Sequence, residues 1–438
     1  MGIRIVVIIA LIVALASSAA SAQVPALPAG LSRQHFTGTD SLLHRLTMEA
    51  MAAPAILQSD ATARAAATRV RPAGALPDPM VNVGVMDLTL PRFAFHQSDF
   101  TEVDVELSQQ FPWPGTLSAK TRAARAMERG ARAGTAVLRR EAALRVAMLY
   151  YRLRYVVSAE ETLTRQRRLL QSVVEISTSR YATGSVPESD PLQARVAFAR
   201  LGTEEASLQA EDAGLRADLR AARGIQTPEQ LSIAPIEADS VHAILEDAEH
   251  EHAAHLAMSD PLTGHPRLEL RRAEIESAEE TARAERLTAR PDFEVITRYG
   301  ARPVGSDFFS AFVGIRIPLW AGRKQRLLTE ATRIDAQVAE QGLSVERDAL
   351  NAELDRTLAD ARAGATRLRL LVESVLPLAR ENVDAALRGY RTGQTDFLSV
   401  LTAEDADYRA ELEAIEVAAE HLTHLVMLDQ LLMPEVGS

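Results

Sequence analysis

Between Glu102 and Phe111 the side chains alternate. Val103, Val105, Leu107 and Phe111 are apolar, with Gln109 the one exception, and Glu102, Asp104, Glu106, Ser108 and Gln110 are polar. Period-two alternation predicts a strand with two unlike faces. Pro112 and Pro114 end it, because proline offers no donor to a strand ladder, and Gly115 opens a long helical pattern. A strand with three acids on one face and apolar residues on the other suits two settings. One is a half-buried antiparallel sheet; the other is a membrane barrel with lipid outside and water within.

Either side of this strand the period is helical. An alanine-rich helix is predicted from Asp40 to Val70, then a second strand over 80–90, where Val81, Val83 and Val85 alternate with Asn82 and Gly84. Residues 91–99 read as a loop. A helix over 117–180 would span about 90 Å at ~1.5 Å per residue. Leu149, Leu153, Val156, Leu163, Leu170 and Val174 fall on one coiled-coil seam. A turn at 182–187 reverses the chain, and a second helix runs to Arg223 with Leu201, Leu208 and Leu215 seven apart. The Pro-containing stretch 224–259 breaks the pattern and reads as a connector.

The pattern then repeats. Pro54 and Pro79 are matched by Pro266 and Pro291, both shifted by 212 positions. Strands are predicted over 292–300, where Phe293, Val295, Thr297 and Tyr299 oppose Asp292, Glu294 and Arg298, and over 307–318. Tyr181-Ala182-Thr183-Gly184 returns as Tyr390-Arg391-Thr392-Gly393, an offset of 209. The expected fold is mainly α with membrane β, in duplicated α-β-β-α halves. The boundaries are 1–22 for a signal peptide and 23–224 for the first half, with strands 80–90 and 102–112 and a coiled-coil hairpin over 115–224. The connector follows over 225–259. The second half is 260–438, with its hairpin over 322–433. Four strands between such long helices cannot cover their own apolar face; they need copies of themselves or a membrane.

Composition narrows this. Both tryptophans, Trp113 and Trp320, and eight of the eleven phenylalanines lie within 93–113 and 293–320, beside the strands. Interfacial girdles of a barrel need that placement; ordinary core packing is the competing explanation. A net charge of −11 argues against nucleic acid as a partner. Residues 1–22 read as a secretory signal: Arg4, an apolar run over 5–16 too short to span a bilayer, and Ala20-Ser21-Ala22. There is no cysteine, hence no disulfide or thiol chemistry. No glycine-rich phosphate loop and no nucleophile–base pair supports an enzyme, and no cofactor is expected. Pro377, inside the second long helix, should kink or locally open it.

The paired turns RYATGSVPESDPLQARV and GYRTGQTDFLSVLTAED, the segment LPLARENVDAAL and the strand exit QQFPWPG carry a resemblance over essentially the whole mature chain. It resembles the outer membrane efflux protein family, the TolC type, and within it the heavy-metal CzcC- and CusC-like components. The resemblance implies a homotrimer with a shared twelve-stranded β-barrel in outer membrane lipid, continuous with a long periplasmic α-helical barrel. It implies an outer membrane channel of a tripartite efflux pump, a passive exit for heavy-metal cations. Its partners would be a periplasmic adaptor protein and an inner-membrane pump of the resistance-nodulation-division kind. A type I secretion or drug-efflux channel is the rival of the same class. A soluble periplasmic coiled-coil scaffold, or the adaptor itself, is the rival of another.

By the same resemblance the turns are adaptor-docking tips, with Tyr181, Thr183, Gly184, Ser185, Tyr390, Thr392, Gly393 and Gln394 as candidates; a plain chain reversal would equally use the glycines. Some family members close the tunnel with aspartate rings; the matching positions here are Ser399 and Thr402, which carry no acid. Asp190, equivalent to Ser399, either lines the pore or caps a helix start. Glu102, Asp104 and Glu106 would face barrel water and bias it towards cations, or form a merely wetted face. His250, His252 and His255, amid a cluster with His242 and His265, are weak metal candidates against a solvated helix.

Overall fold

The computed structural model describes residues 40–87, 101–236, 261–302 and 305–432. The expected signal peptide, the loop over 91–99 and His242, His250, His252 and His255 lie outside the described residues.

Helix α1 (Ser41–Met51) starts at Asp40, whose carboxylate accepts from the N–H groups of Leu42 and Leu43. The single helix expected to Val70 is in fact two. Pro54 forces Ala53 into extended backbone (φ −62°, ψ 154°), which stops α1 and restarts the chain as α2 (Pro54–Ala73). After strand β1 (Met80–Met86) and β2 (Glu102–Phe111) come α3 (Thr116–Ala182, 67 residues) and α4 (Ser189–Arg223, 35 residues). The second half repeats the order: α5 (Pro266–Leu287), β3 (Asp292–Ala301), β4 (Phe308–Arg316), α6 (Gln325–Leu370), a π-helical turn (Leu371–Val375), α7 (Leu376–Thr392) and α8 (Phe397–Leu432). At ~1.5 Å per residue, α3 extends about 100 Å.

The π turn is how the second long helix passes Pro377. Proline lacks an N–H and its ring crowds the carbonyl four residues back. The backbone widens just before it, so that the Leu376 N–H donates to Leu371 O, five residues back.

The four strands form one antiparallel sheet in the order β1-β2-β3-β4. Val83, Val105, Tyr299 and Phe309 lie in one row across it, and Asn82, Glu106, Arg298 and Ser310 in the next. All four strand–helix junctions sit at the same end of the sheet. The largest core lies midway along the helices, where Leu43 and Leu46 of α1, Tyr150 and Leu153 of α3, Leu219 of α4, Leu368 of α6 and Leu422 of α8 meet. The connector's described part is strapped onto it. Leu231, Ile233 and Ile236 are buried there, and Arg154 donates to Ala234 O and Pro235 O at 3.0 and 2.9 Å. Among the described residues no helix is long and apolar enough to cross a membrane.

Candidate functional site: a polar-lined sheet and two paired tips

The sheet is turned inside out relative to a soluble one. Glu102, Asp104 and Ser108 are buried at 5–6% exposure, while Val83 and Val313 on the other face stand 71% and 73% exposed. Val81, Val105, Leu107, Phe309 and Ile315 are exposed with them. Water penalises such an apolar face, whereas hydrocarbon favours it.

The polar face is a charge lattice across β2 and β3. Arg298 reaches Glu106 at 2.8 Å and Asp104 at 3.7 Å, and Arg302 reaches Glu102 at 3.4 Å. Asn82 donates to Glu106 at 3.3 Å, and Ser108 donates to Glu294 at 2.8 Å. The three acids read from the sequence therefore share this face with Arg298 of β3 and Arg302 just past its end, almost two hundred residues on. Arg298 and Arg302 thus set positive charge against the acids from which a cation bias is expected. The face is not wholly polar, since Phe308 lies over Gly300, where a Cβ would come within 2.2 Å of its ring. A side chain at that position would have to displace the ring.

At the far end of the helices the two turns have the same build. Gly184 (φ 71°) and Gly393 (φ 76°) take the left-handed conformation that side chains resist. Ser185 N–H donates to Arg180 O at 2.9 Å, and Gln394 N–H donates to Gly389 O at 2.8 Å, closing both helices with the same six-residue bond. Tyr181, Thr183, Gly184, Ser185, Thr392, Gly393 and Gln394 are all exposed.

Tyr390 departs from this set. It is 7% exposed, packs on Phe397 at 5.5 Å between ring centres, and lies under the Arg180 guanidinium at 4.5 Å. Arg180 also donates to Tyr390 O at 3.0 Å. One residue of each tip therefore bolts the two hairpins together, a role sequence reading missed because 210 residues separate them.

Asp190 is not a cap. It lies buried inside the first turn of α4, whose cap position, Glu188, makes no side-chain bond. Its negative charge still suits the positive end of the helix. The cap of α8 is Asp396, which accepts from Ser399 N–H at 3.0 Å and from Ser399 Oγ. Those bonds hold the Asp396 carboxyl below its usual range. Ser399 and Thr402 are exposed in the single chain.

Two residues beyond Thr402, Glu404 is 3% exposed, and its Oε1 has no hydrogen-bond partner. Burial, with Asp407 and Asp384 nearby, pushes its carboxyl up to about 7. Among the described residues no group of three or more metal-binding side chains is assembled. His265 caps α5 by accepting from Arg267 N–H, and burial pushes its imidazole down to about 4.

Residues 257–432 match the family model described as "Outer membrane efflux protein". The chain is 25% identical over 264 residues to the cobalt-zinc-cadmium resistance protein CzcC of Cupriavidus metallidurans, an alignment covering 59% of each protein. Its fold is similar to that of VceC from Vibrio cholerae (TM-score 0.73, 18% identity, 90% of this chain and 96% of that one). It is also similar to CusC (TM-score 0.76, 15% identity, 94% and 98%). At those identities the structural likeness speaks for the fold.

Proposed function

We propose that this chain, whose residues 257–432 belong to the outer membrane efflux protein family, is the outer membrane channel of a tripartite efflux pump. The observation that carries the reading is the inverted sheet. The acidic side chains of its second strand are buried or ion-paired, its apolar face is exposed, and it stands at one end of helices about 100 Å long. Three copies would close twelve strands into a barrel with hydrocarbon outside and water inside. The helices would continue the passage through the periplasm.

The exposed tip residues Tyr181, Thr183, Gly184, Ser185, Thr392, Gly393 and Gln394 would meet a periplasmic adaptor. An inner-membrane transporter would supply the energy, and the duct itself would be passive. Heavy-metal cations are the proposed cargo, on the likeness to CzcC. A deletion strain challenged with zinc, cobalt, cadmium, copper, silver and organic drugs tests this. Sensitisation to metals supports the reading. Sensitisation to drugs alone moves the cargo to organic compounds, and no sensitisation at all rejects the efflux role.

A further inference from the structure

The four segments joining strands to helices, 69–79, 112–125, 283–291 and 317–329, hold eleven arginines and lysines against two acids, in a chain whose net charge is −11. The only two lysines of the protein, Lys120 and Lys324, are among them, each at the start of the long helix of its half. Lys120, Arg125, Arg290, Arg323, Lys324 and Arg326 are exposed, and no ion pair holds them among the described residues.

Lys324, at the N-cap of α6, and Arg326, in its first turn, stand where the chain alone disfavours them. The start of a helix carries partial positive charge, so cations there are repelled and acids are favoured. Yet neither α3 nor α6 has an acid in its first turn. Among the described residues no acid offsets that charge, and an anionic surface would. Beside these cations stand Leu319 and Trp320, 82% and 72% exposed, continuous with the apolar outer face of β4. Trp113, stacked on Phe293 at 5.8 Å, marks the same level on β2 and β3.

A basic belt directly below an apolar sheet, with aromatic side chains between them, matches one surface in layers: acyl chains, interface, anionic headgroups. We propose that the belt binds anionic phospholipid headgroups of the periplasm-facing leaflet, fixing the depth at which the barrel sits. This rests on the channel reading above. The phosphodiester charge would replace the acids missing from the first turns of α3 and α6.

Both tryptophans lie in the belt, so intrinsic fluorescence reports the test directly. Full-length protein is reconstituted in phosphatidylcholine bilayers with increasing mole fractions of dibromostearoyl phosphatidylglycerol or dibromostearoyl phosphatidylcholine, whose bromines quench tryptophan on contact. The expected result is a roughly threefold or greater preference for the anionic lipid. It should weaken in ~1 M salt, where the Debye length is about 3 Å. It should approach unity in the variant K120Q/R125Q/R323Q/K324Q/R326Q and persist in K120R/K324R. A ratio near one in the wild-type protein overturns the proposal. So does an unchanged ratio in a neutralised variant that still forms its oligomer. If that variant does not assemble, the wild-type ratio and its salt dependence decide. Absence of quenching by either lipid overturns instead the channel reading, since the belt would then be nowhere near a bilayer.

Discussion

At the scale of single residues, two side chains near the tips carry more than the heptad pattern suggests. Glu404 has its titration raised by burial and by Asp407 and Asp384. An acid raised in the folded state binds protons that the unfolded chain has already released. Stability is therefore lost as pH climbs from about 4.5 to about 7 and is not regained above it. Glu404→Gln should flatten that slope and raise the melting temperature at pH 8, with little change at pH 4, in thermal scans of the detergent-solubilised protein. An equal shift at both pH values would mean that packing, not charge, is responsible.

Arg180 acts by geometry. A cation over an aromatic face contributes roughly 0.5–2 kcal/mol, and here it joins a hydrogen bond between the tips. Arg180→Ala should loosen the tips, seen as faster proteolytic nicking at 181–188 and 390–396. Wild-type nicking rates would show that the bolt does nothing. Gly389 is the matching steric case. A Cβ there would sit 2.7 Å from Thr395 Cγ2, so Gly389→Ala should disturb the second turn while an alanine at the open Gly342 does not. Limited proteolysis of the two variants side by side checks the contrast.

At the scale of elements, the sheet is the decisive piece. Val105 lies in the outward row with Val83, Tyr299 and Phe309. Val105→Arg should cost about 2–4 kcal/mol if that row faces mid-bilayer, measured as loss of the heat-resistant oligomer on unheated gels. In a sheet facing water the same change would be harmless. On the inner face, Arg298 offsets Glu106 and Asp104. Removing it with Arg298→Gln should raise cation preference in planar-bilayer conductance, and neutralising Glu102, Asp104 and Glu106 together should lower it. Selectivity indifferent to both would mean that this lattice does not set the lumen field.

The elements were also the most legible level. Strands expected at 102–112 and 292–300 occupy 102–111 and 292–301, because alternation and flanking prolines act locally. The break at Ala53–Pro54 was missed because the helical period continues across it; proline's effect on its predecessor, not hydrophobicity, divides α1 from α2. At Pro377 the expected opening takes the form of a π turn. The exposed tips were legible from the doubled motif. The burial of Tyr390 was not, since its partner Arg180 belongs to the other hairpin. Nor was the pairing of Glu106 with Arg298, for the same reason of distance along the chain.

At the scale of the whole molecule, one chain presents an apolar sheet face that nothing among the described residues covers. The channel reading predicts that the protein resists carbonate washing, needs detergent for extraction and migrates as a heat-modifiable trimer.

What the sequence determined by itself was everything encoded by near neighbours: strand alternation, heptads, the glycines that close both turns, and the duplication. These depend on periods of two, three and a half, and seven residues, which any short window contains. What only the tertiary structure decided was which acids lie beside arginines, which tyrosine leaves the surface, and that four basic junctions share one end of the sheet. Those facts arise from antiparallel pairing and hairpin packing between segments about two hundred residues apart, and their energies depend on burial, which no local pattern records.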